Sequence, residues 1–243
     1  MRKTFVFASI LALTLMLVPV LSAMASNPGY SLNGIGKVLV RGAPISGANG
    51  IMFDNNDQLH IASISGGEIV VMDPKSGNIL ERIPASGPDD LAFGPDGSLY
   101  YTSIMDGFVF RIKPDGTTTS QYVAPGVNPI TFSADGRLFV ACDFLGDGLY
   151  ELDPDLVDPP VQIAGEPLTP FLGFLNGMDF GPDGLLYAPV WLFQKVVSID
   201  VDDFTYPMTT VCDEAFGVTA ALKFDSKGRL HVADQMKGEI SRV

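Results

Sequence analysis

A β-propeller is the fold class this sequence predicts: an all-β ring of four-stranded blades. Three observations carry that expectation. First, one segment recurs five times, as GANGIMFDNNDQLHIAS, GPDDLAFGPDGSLYYTS, GVNPITFSADGRLFVAC, FLNGMDFGPDGLLYAPV and VTAALKFDSKGRLHVAD. Second, the anchoring aromatics Phe53, Phe93, Phe132, Phe180 and Phe224 stand 40, 39, 48 and 44 residues apart. A period near about forty residues, filled with short strands and tight turns, is the signature of propeller blades. Third, the stretches between copies supply two more short strands each, so that four strands fill one repeat.

The elements follow in chain order. Arg2 and Lys3, the apolar run Phe5 to Leu21 and the small-x-small site Ala23-Met24-Ala25 form a secretory signal peptide over residues 1–25, cleaved near Ala25. The mature chain, 26–243, is then a single propeller domain, secreted or periplasmic. Loss of Arg2 and Lys3 takes its formal charge from −13 to −15. Such acidity argues against nucleic acid and anionic membrane surfaces as partners, and it suits cations. We expect a monomer that is free of the membrane after cleavage and meets a small-molecule ligand or substrate. Cys142 and Cys212 fall in different repeats and in no metal-spaced pattern. Two separate thiols are the favoured reading.

In the second repeat, Asp90 to Phe93 is an innermost strand. Gly94-Pro95-Asp96-Gly97 is a turn in which Pro presets one dihedral and Gly accepts positive φ. Ser98 to Ser103, Gly107 to Ile112 and Thr117 to Val123 complete the blade. The first repeat follows the same plan, with Gly67 to Met72 and Asn78 to Pro84 as its outer strands. Gly36 to Gly42 reads as an outermost strand without predecessors, and Gly238 to Val243 as a third strand without a successor. Pairing the two would close a five-bladed ring and remove its free edges. A truncated six-bladed ring is the alternative.

Function is expected where the copies differ. Four residues before each anchor Phe stand Asn49, Asp89, Asn128, Asn176 and Ala220, at the start of the innermost strands. The second strands end near Ser63, Ser103, Asp143, Val190 and Asp234, on the same face of the ring, with Asp90 and Asp106 close by. Mixed amide and carboxylate oxygens suit a hard cation such as Ca²⁺. Asn and Asp are also ordinary turn formers before a strand, so the recurrence matters more than any single site. Phe144, Phe174, Trp191, Phe193 and Phe216 fall in loops of that face, and a polar centre with aromatic walls is the make-up of a small-molecule pocket. His60 and His231 take the second-strand position held elsewhere by Tyr100, Phe139 and Tyr187, which makes them packing residues. A His-based triad or metal site has nothing further to draw on.

The blade pattern x-N-G-[IL]-x-F-x-x-D-G-x-L-Y-x-A resembles the regucalcin/gluconolactonase family of propellers, and also NHL-type and strictosidine-synthase-like propellers. The resemblance covers most of the mature chain. It implies a divalent cation over the channel and hydrolysis of a small lactone or ester. Asn176 in Asn176-Gly177-Met178-Asp179-Phe180 matches the family's Asn-Gly metal position, and Asn128 and Asp89 match further polar positions of the ring. The family's first-blade Glu has no counterpart in Gly47-Ala48-Asn49-Gly50, and the fifth copy offers Ala220. We expect Asn49, Asn176 and Asp234 as ligands of a divalent cation, foremost Ca²⁺: Asn176 by the resemblance, Asn49 by its place in the recurring polar series, and Asp234 as the residue that could complete the site. Asp89 or Asp143 is the expected general base, and Asn128, Asp106, Phe174 and Trp191 are expected to contact substrate. The alternative is a non-catalytic NHL-type propeller that binds a glycan, peptide or small metabolite. A virginiamycin-lyase-like enzyme is a third reading, and the lack of a His at the channel mouth speaks against it.

Overall fold

The computed structural model describes residues 44–203, 205, 208–213 and 217–243. The signal-peptide segment, the Gly36 to Gly42 strand and Phe216 lie outside the described residues. Among the described residues nineteen strands form five antiparallel sheets, the blades of a five-bladed β-propeller. Blade one holds β1 (Ala48–Phe53), β2 (Leu59–Ser63), β3 (Glu68–Met72) and β4 (Ile79–Pro84). Blade two holds β5 (Pro88–Phe93), β6 (Leu99–Ser103), β7 (Phe108–Ile112) and β8 (Thr118–Tyr122). Blade three holds β9 (Val127–Phe132), β10 (Leu138–Cys142), β11 (Gly148–Leu152) and β12 (Val161–Ala164). Blade four holds β13 (Asp179–Phe180), β14 (Leu186–Val190), β15 (Lys195–Ile199) and β16 (Met208–Cys212). Blade five shows three strands, β17 (Thr219–Phe224), β18 (Leu230–Asp234) and β19 (Glu239–Arg242). The first strands of successive blades touch in the order β1, β5, β9, β13, β17 and so line a common axis. Among the described residues β17 and β1 have no comparable contact. Ile51 and Phe53 on β1, and Ile240 on β19, are exposed.

Side-chain alternation along each strand explains the stacking. Tyr101 joins Leu99, Ile69 and Ala62 between blades one and two, while its neighbour Tyr100 points the other way, into a cluster with Ile130, Leu138 and Val140 of blade three. Phe139, Leu149, Leu175, Met178 and Leu186 fill the next interface, and Val196, Leu222, Leu230 and Val232 the last. Phe139 is fully buried, and truncating such a ring to Ala costs about 3–5 kcal/mol.

The turns between first and second strands follow one mechanism. Asp54 accepts from the Asn56 and Gln58 amides, Asp96 from Ser98, Asp183 from Leu185, and Asp225 from Lys227 and Arg229. In blade three Ser133 takes this part with the Arg137 amide. Both histidines sit at this end of the ring, His60 on Asp54 at 3.4 Å and His231 on Asp225 at 3.3 Å. Here ion pairs also tie blades together, Arg111 reaching Asp155 and Arg137 reaching Asp202. The first strands begin at the opposite end of the ring.

Candidate functional site at the channel mouth

The innermost strands share an irregularity at the positions that vary between repeats. In blade one Ala48 pairs with Ser63 and Ile51 with Ile61, so Asn49 and Gly50 together face the single residue Ala62. In blade two Asp89 and Asp90 face Thr102. In blade three Asn128 and Pro129 face Ala141. Blade five has Ala220 as its extra residue, since Thr219 pairs with Asp234 and Ala221 with Ala233. Blade four places Asn176 in the unpaired stretch between the Leu175–Val190 bridge and the Asp179–Tyr187 pair. A bulge of this kind inserts one residue and re-aims a side chain. It falls at Asn49, Asp89 and Asn128 in the first three blades, and Asn176 stands at the matching place in blade four. The bulge also forces close packing: a Cβ on Gly50 would lie 2.7 Å from the Asp89 carbonyl oxygen.

Register also separates the second-strand residues. Ser63, Ser103, Cys142, Val190 and Asp234 are the true equivalents, each opposite the residue before the bulge. Asp143 stands one residue further on. The polar equivalents are occupied in holding loops. Ser63 Oγ donates to the Ser46 carbonyl at 2.9 Å. Ser103 Oγ donates to Asp106 at 3.0 Å, and Ser86 Oγ donates to the same oxygen at 2.9 Å. Asp234 accepts from the backbone N–H groups of Gly217, Val218, Met236 and Lys237. Those bonds hold its carboxyl below the usual range against the opposing effect of burial. Asp234 is thus a loop clamp, and exposed Asp106 anchors two hydroxyls on the blade-two side.

The residues brought together are Asn49, Asp89, Asn128, Asp143 and Asn176. Asn49 Nδ2 donates to Asp89 Oδ1. Asn128 Nδ2 and Asn176 Nδ2 both donate to Asp143 Oδ2, at 2.8 and 3.1 Å. The Asn176 oxygen accepts from its neighbour's amide, Gly177 N–H, at 2.9 Å. Asp89 is 1 % exposed and Asp143 is fully buried. Burial pushes Asp89 up to about 7, with the adjacent Asp90 adding to the rise. Burial likewise pushes Asp143 up to about 8; the Asn128 hydrogen bond opposes this and the Asp89 charge adds to it. Among the described residues no cationic side chain offsets either carboxylate. Asp143 Oδ1 is buried with no hydrogen-bond partner among the described residues. An unsatisfied buried carboxylate oxygen is costly and calls for a partner.

A cation is one such partner: Asp143 Oδ1 is a free carboxylate oxygen, while Asn128 and Asn176 turn their N–H groups to Asp143, so their side-chain amides would have to rotate to bring oxygens to a hard divalent ion. Among the described residues no three His, Cys, Asp or Glu side chains converge, so a cation here would depend on the Asn amides as well as on Asp143.

Aromatic rings flank this centre on the blade-three and blade-four side. Phe144 follows Asp143 directly, and its ring meets Trp191 edge-on at 4.9 Å and Phe174 at 5.6 Å. Phe171 meets Phe174 at 5.2 Å and Phe193 at 6.4 Å. Phe144 and Phe174 have φ of 51° and 65°, a left-handed conformation that costs a bulky residue about 1–3 kcal/mol. Backbone bonds brace the wall: Trp191 N–H donates to Phe174 O at 3.0 Å, and Leu192 N–H to Gly173 O at 3.1 Å. Gly173 has to be glycine here, since its φ is 87° and a Cβ would lie 2.5 Å from the Phe193 ring.

No protein-family model matches this chain, and no curated protein matches it in sequence. Its likeness to solved structures is one of fold. The gluconolactonase XC5397 from Xanthomonas campestris is 14% identical with a TM-score of 0.65, covering 82% of this chain and 75% of that one. A putative gluconolactonase is 18% identical with a TM-score of 0.63, covering 80% and 73%. Virginiamycin B lyase from Staphylococcus aureus is 13% identical with a TM-score of 0.64, covering 81% and 69%.

Proposed function

We propose that this protein is a gluconolactonase-like hydrolase that opens a small lactone or ester at the channel mouth with the aid of a divalent cation. The observation that carries the reading is the pair of buried carboxylates, Asp89 and Asp143, held by three Asn amides, with Asp143 Oδ1 left without a partner. Asp143, Asn128 and Asn176 would hold the cation, foremost Ca²⁺. Bound there, it would offset buried negative charge and polarise the lactone carbonyl.

Asp89 is the general base. Its carboxyl lies near neutrality, so it can accept and return a proton at physiological pH. Asn49 fixes its orientation through Oδ1. Asp89 takes a proton from water as the water oxygen attacks the carbonyl carbon. The acyl C–O bond then breaks, and the same proton passes to the ring oxygen, which leaves as an alcohol. Water and lactone become one hydroxy acid. The likeness in fold to gluconolactonases agrees with this reading.

The test is a lactone panel assayed with Ca²⁺, Mn²⁺ and Zn²⁺. We expect hydrolysis that falls at least about a hundredfold in Asp89→Asn, with the thermal response to cation retained. No turnover of any lactone with any of the three ions contradicts the enzyme. Ala220 at the fifth bulge position favours a second reading, a binding propeller for a glycan, peptide or small metabolite. Saturable ligand binding without turnover is its mark.

A further inference from the structure

We infer that the substrate carries an apolar tail, an alkyl or acyl chain, which lies against the Phe144, Phe171, Phe174, Trp191, Leu192 and Phe193 wall while its ester group meets the carboxylate centre. The inference rests on the hydrolase reading for the reaction, but on separate observations for the substrate. The wall is continuous with the site: Phe144 is bonded in sequence to Asp143, and Phe174 lies two residues before Asn176. It is accessible, with Leu192 and Phe193 exposed at 46% and 49%. It is also rigid, since its rings meet in edge-on and tilted pairs and the loop is laced to the end of β14 by backbone bonds.

The loop from blade three to blade four offers little to a polyol. From Pro167 to Leu175 the single polar side chain is Thr169, and its hydroxyl is already engaged with the Gly165 amide at 2.8 Å and the Pro170 carbonyl at 3.2 Å. A sugar lactone needs several hydrogen-bonding partners along its ring, and unmet hydroxyls against an apolar wall cost affinity. Two phenylalanines at positive φ build this surface. The mouth is therefore asymmetric. Asp106 and its serines make the blade-two side polar, and blades three and four make the other side apolar.

Trp191 is the only tryptophan of the chain, so its emission reports on this wall directly. We would titrate the protein with γ-hexano-, γ-octano- and γ-decanolactone, and separately with glucono-δ-lactone, following Trp191 fluorescence and hydrolysis together. The inference predicts a saturable blue shift with the alkyl lactones. Affinity should rise up to about fourfold for each methylene buried, and glucono-δ-lactone should give no shift. Leu192→Ser, at the exposed rim, should flatten that chain-length dependence without lowering Tm. If alkyl lactones bind with this dependence but are not hydrolysed, the apolar site stands and the hydrolase reading falls. If glucono-δ-lactone is hydrolysed while the alkyl lactones neither bind nor react, the apolar site falls and the hydrolase stands. An affinity independent of chain length also overturns it.

Discussion

Replacing Asp143 by Asn should make the metal-free protein more stable at high pH and not at low pH. Folding carries the Asp143 carboxyl from an ordinary value of 3.8 to about 8, chiefly through burial. Between those values the folded protein holds a proton that the unfolded chain has released. The group's contribution to stability is therefore fully present below 3.8 and is lost as pH rises through about 8. One pKa unit is about 1.4 kcal/mol, so the ionised carboxylate costs the folded state on the order of several kcal/mol at pH 9. Asn cannot ionise, and its oxygen can still accept from Asn128 and Asn176. Its new N–H group, in the place of the partnerless Oδ1, adds a cost that does not vary with pH. The assay is thermal unfolding of both proteins in EDTA from pH 4.5 to 9. Aspartates held low by turn amides, such as Asp54 and Asp96, act in the opposite sense, but they are common to both proteins and cancel in the difference. We expect the Tm of the variant relative to the parent to climb by several degrees or more across the range, at about 2–4 °C per kcal/mol. A difference that stays flat with pH, or that falls as pH rises, refutes the argument that Asp143 is buried without a compensating charge.

Two further predictions concern the same corner of the fold. Gly126 has φ of 80°, and a Cβ there would overlap the Asp143 carbonyl oxygen, so Gly126→Ala should cost more than about 2 kcal/mol in denaturant unfolding and weaken any response to cation. A substitution without such a cost would show that Asp143 is not held where the fold places it. Cys142 is buried with its thiol pushed up to about 12, and Cys212 is half-buried; both are free. Ellman's reagent should titrate at most Cys212 in the native protein and both thiols after unfolding, and a rapid reaction at both in the native state would contradict this packing.

The blades were legible because the repeat carries its own punctuation: the Phe anchor, the Asp-Gly turn and alternation at period two. The polar series Asn49, Asp89, Asn128, Asn176 was legible as recurrence, since Asn and Asp are not needed there for a strand. What aims these side chains was not legible. A β-bulge is an excess of one residue over the partner strand, and one strand's sequence does not show its partner's register. The same limit blurred the second-strand ends. Asp143 and Asp234 look equivalent by eye, yet register matches Asp234 with Cys142, which leaves Asp143 one step beyond, facing the two amides. Asp234 is spent on four backbone amides that no motif announces. Phe174 and Trp191 were visible as loop aromatics, but their union with Phe144 depends on two left-handed backbone positions that a sequence does not spell out.

Cation binding tests the central claim most directly. The protein, stripped with EDTA, would be titrated with Ca²⁺ by calorimetry at pH 7.5, beside Asp143→Asn and Asn176→Ala, with Tm measured in parallel. The account predicts one saturable site per chain in the parent and a Tm that rises on binding and returns with EDTA. Both responses should be lost in Asp143→Asn and weakened in Asn176→Ala. No heat and no Tm shift with Ca²⁺, Mn²⁺ or Zn²⁺, or a response that survives in Asp143→Asn, would contradict it.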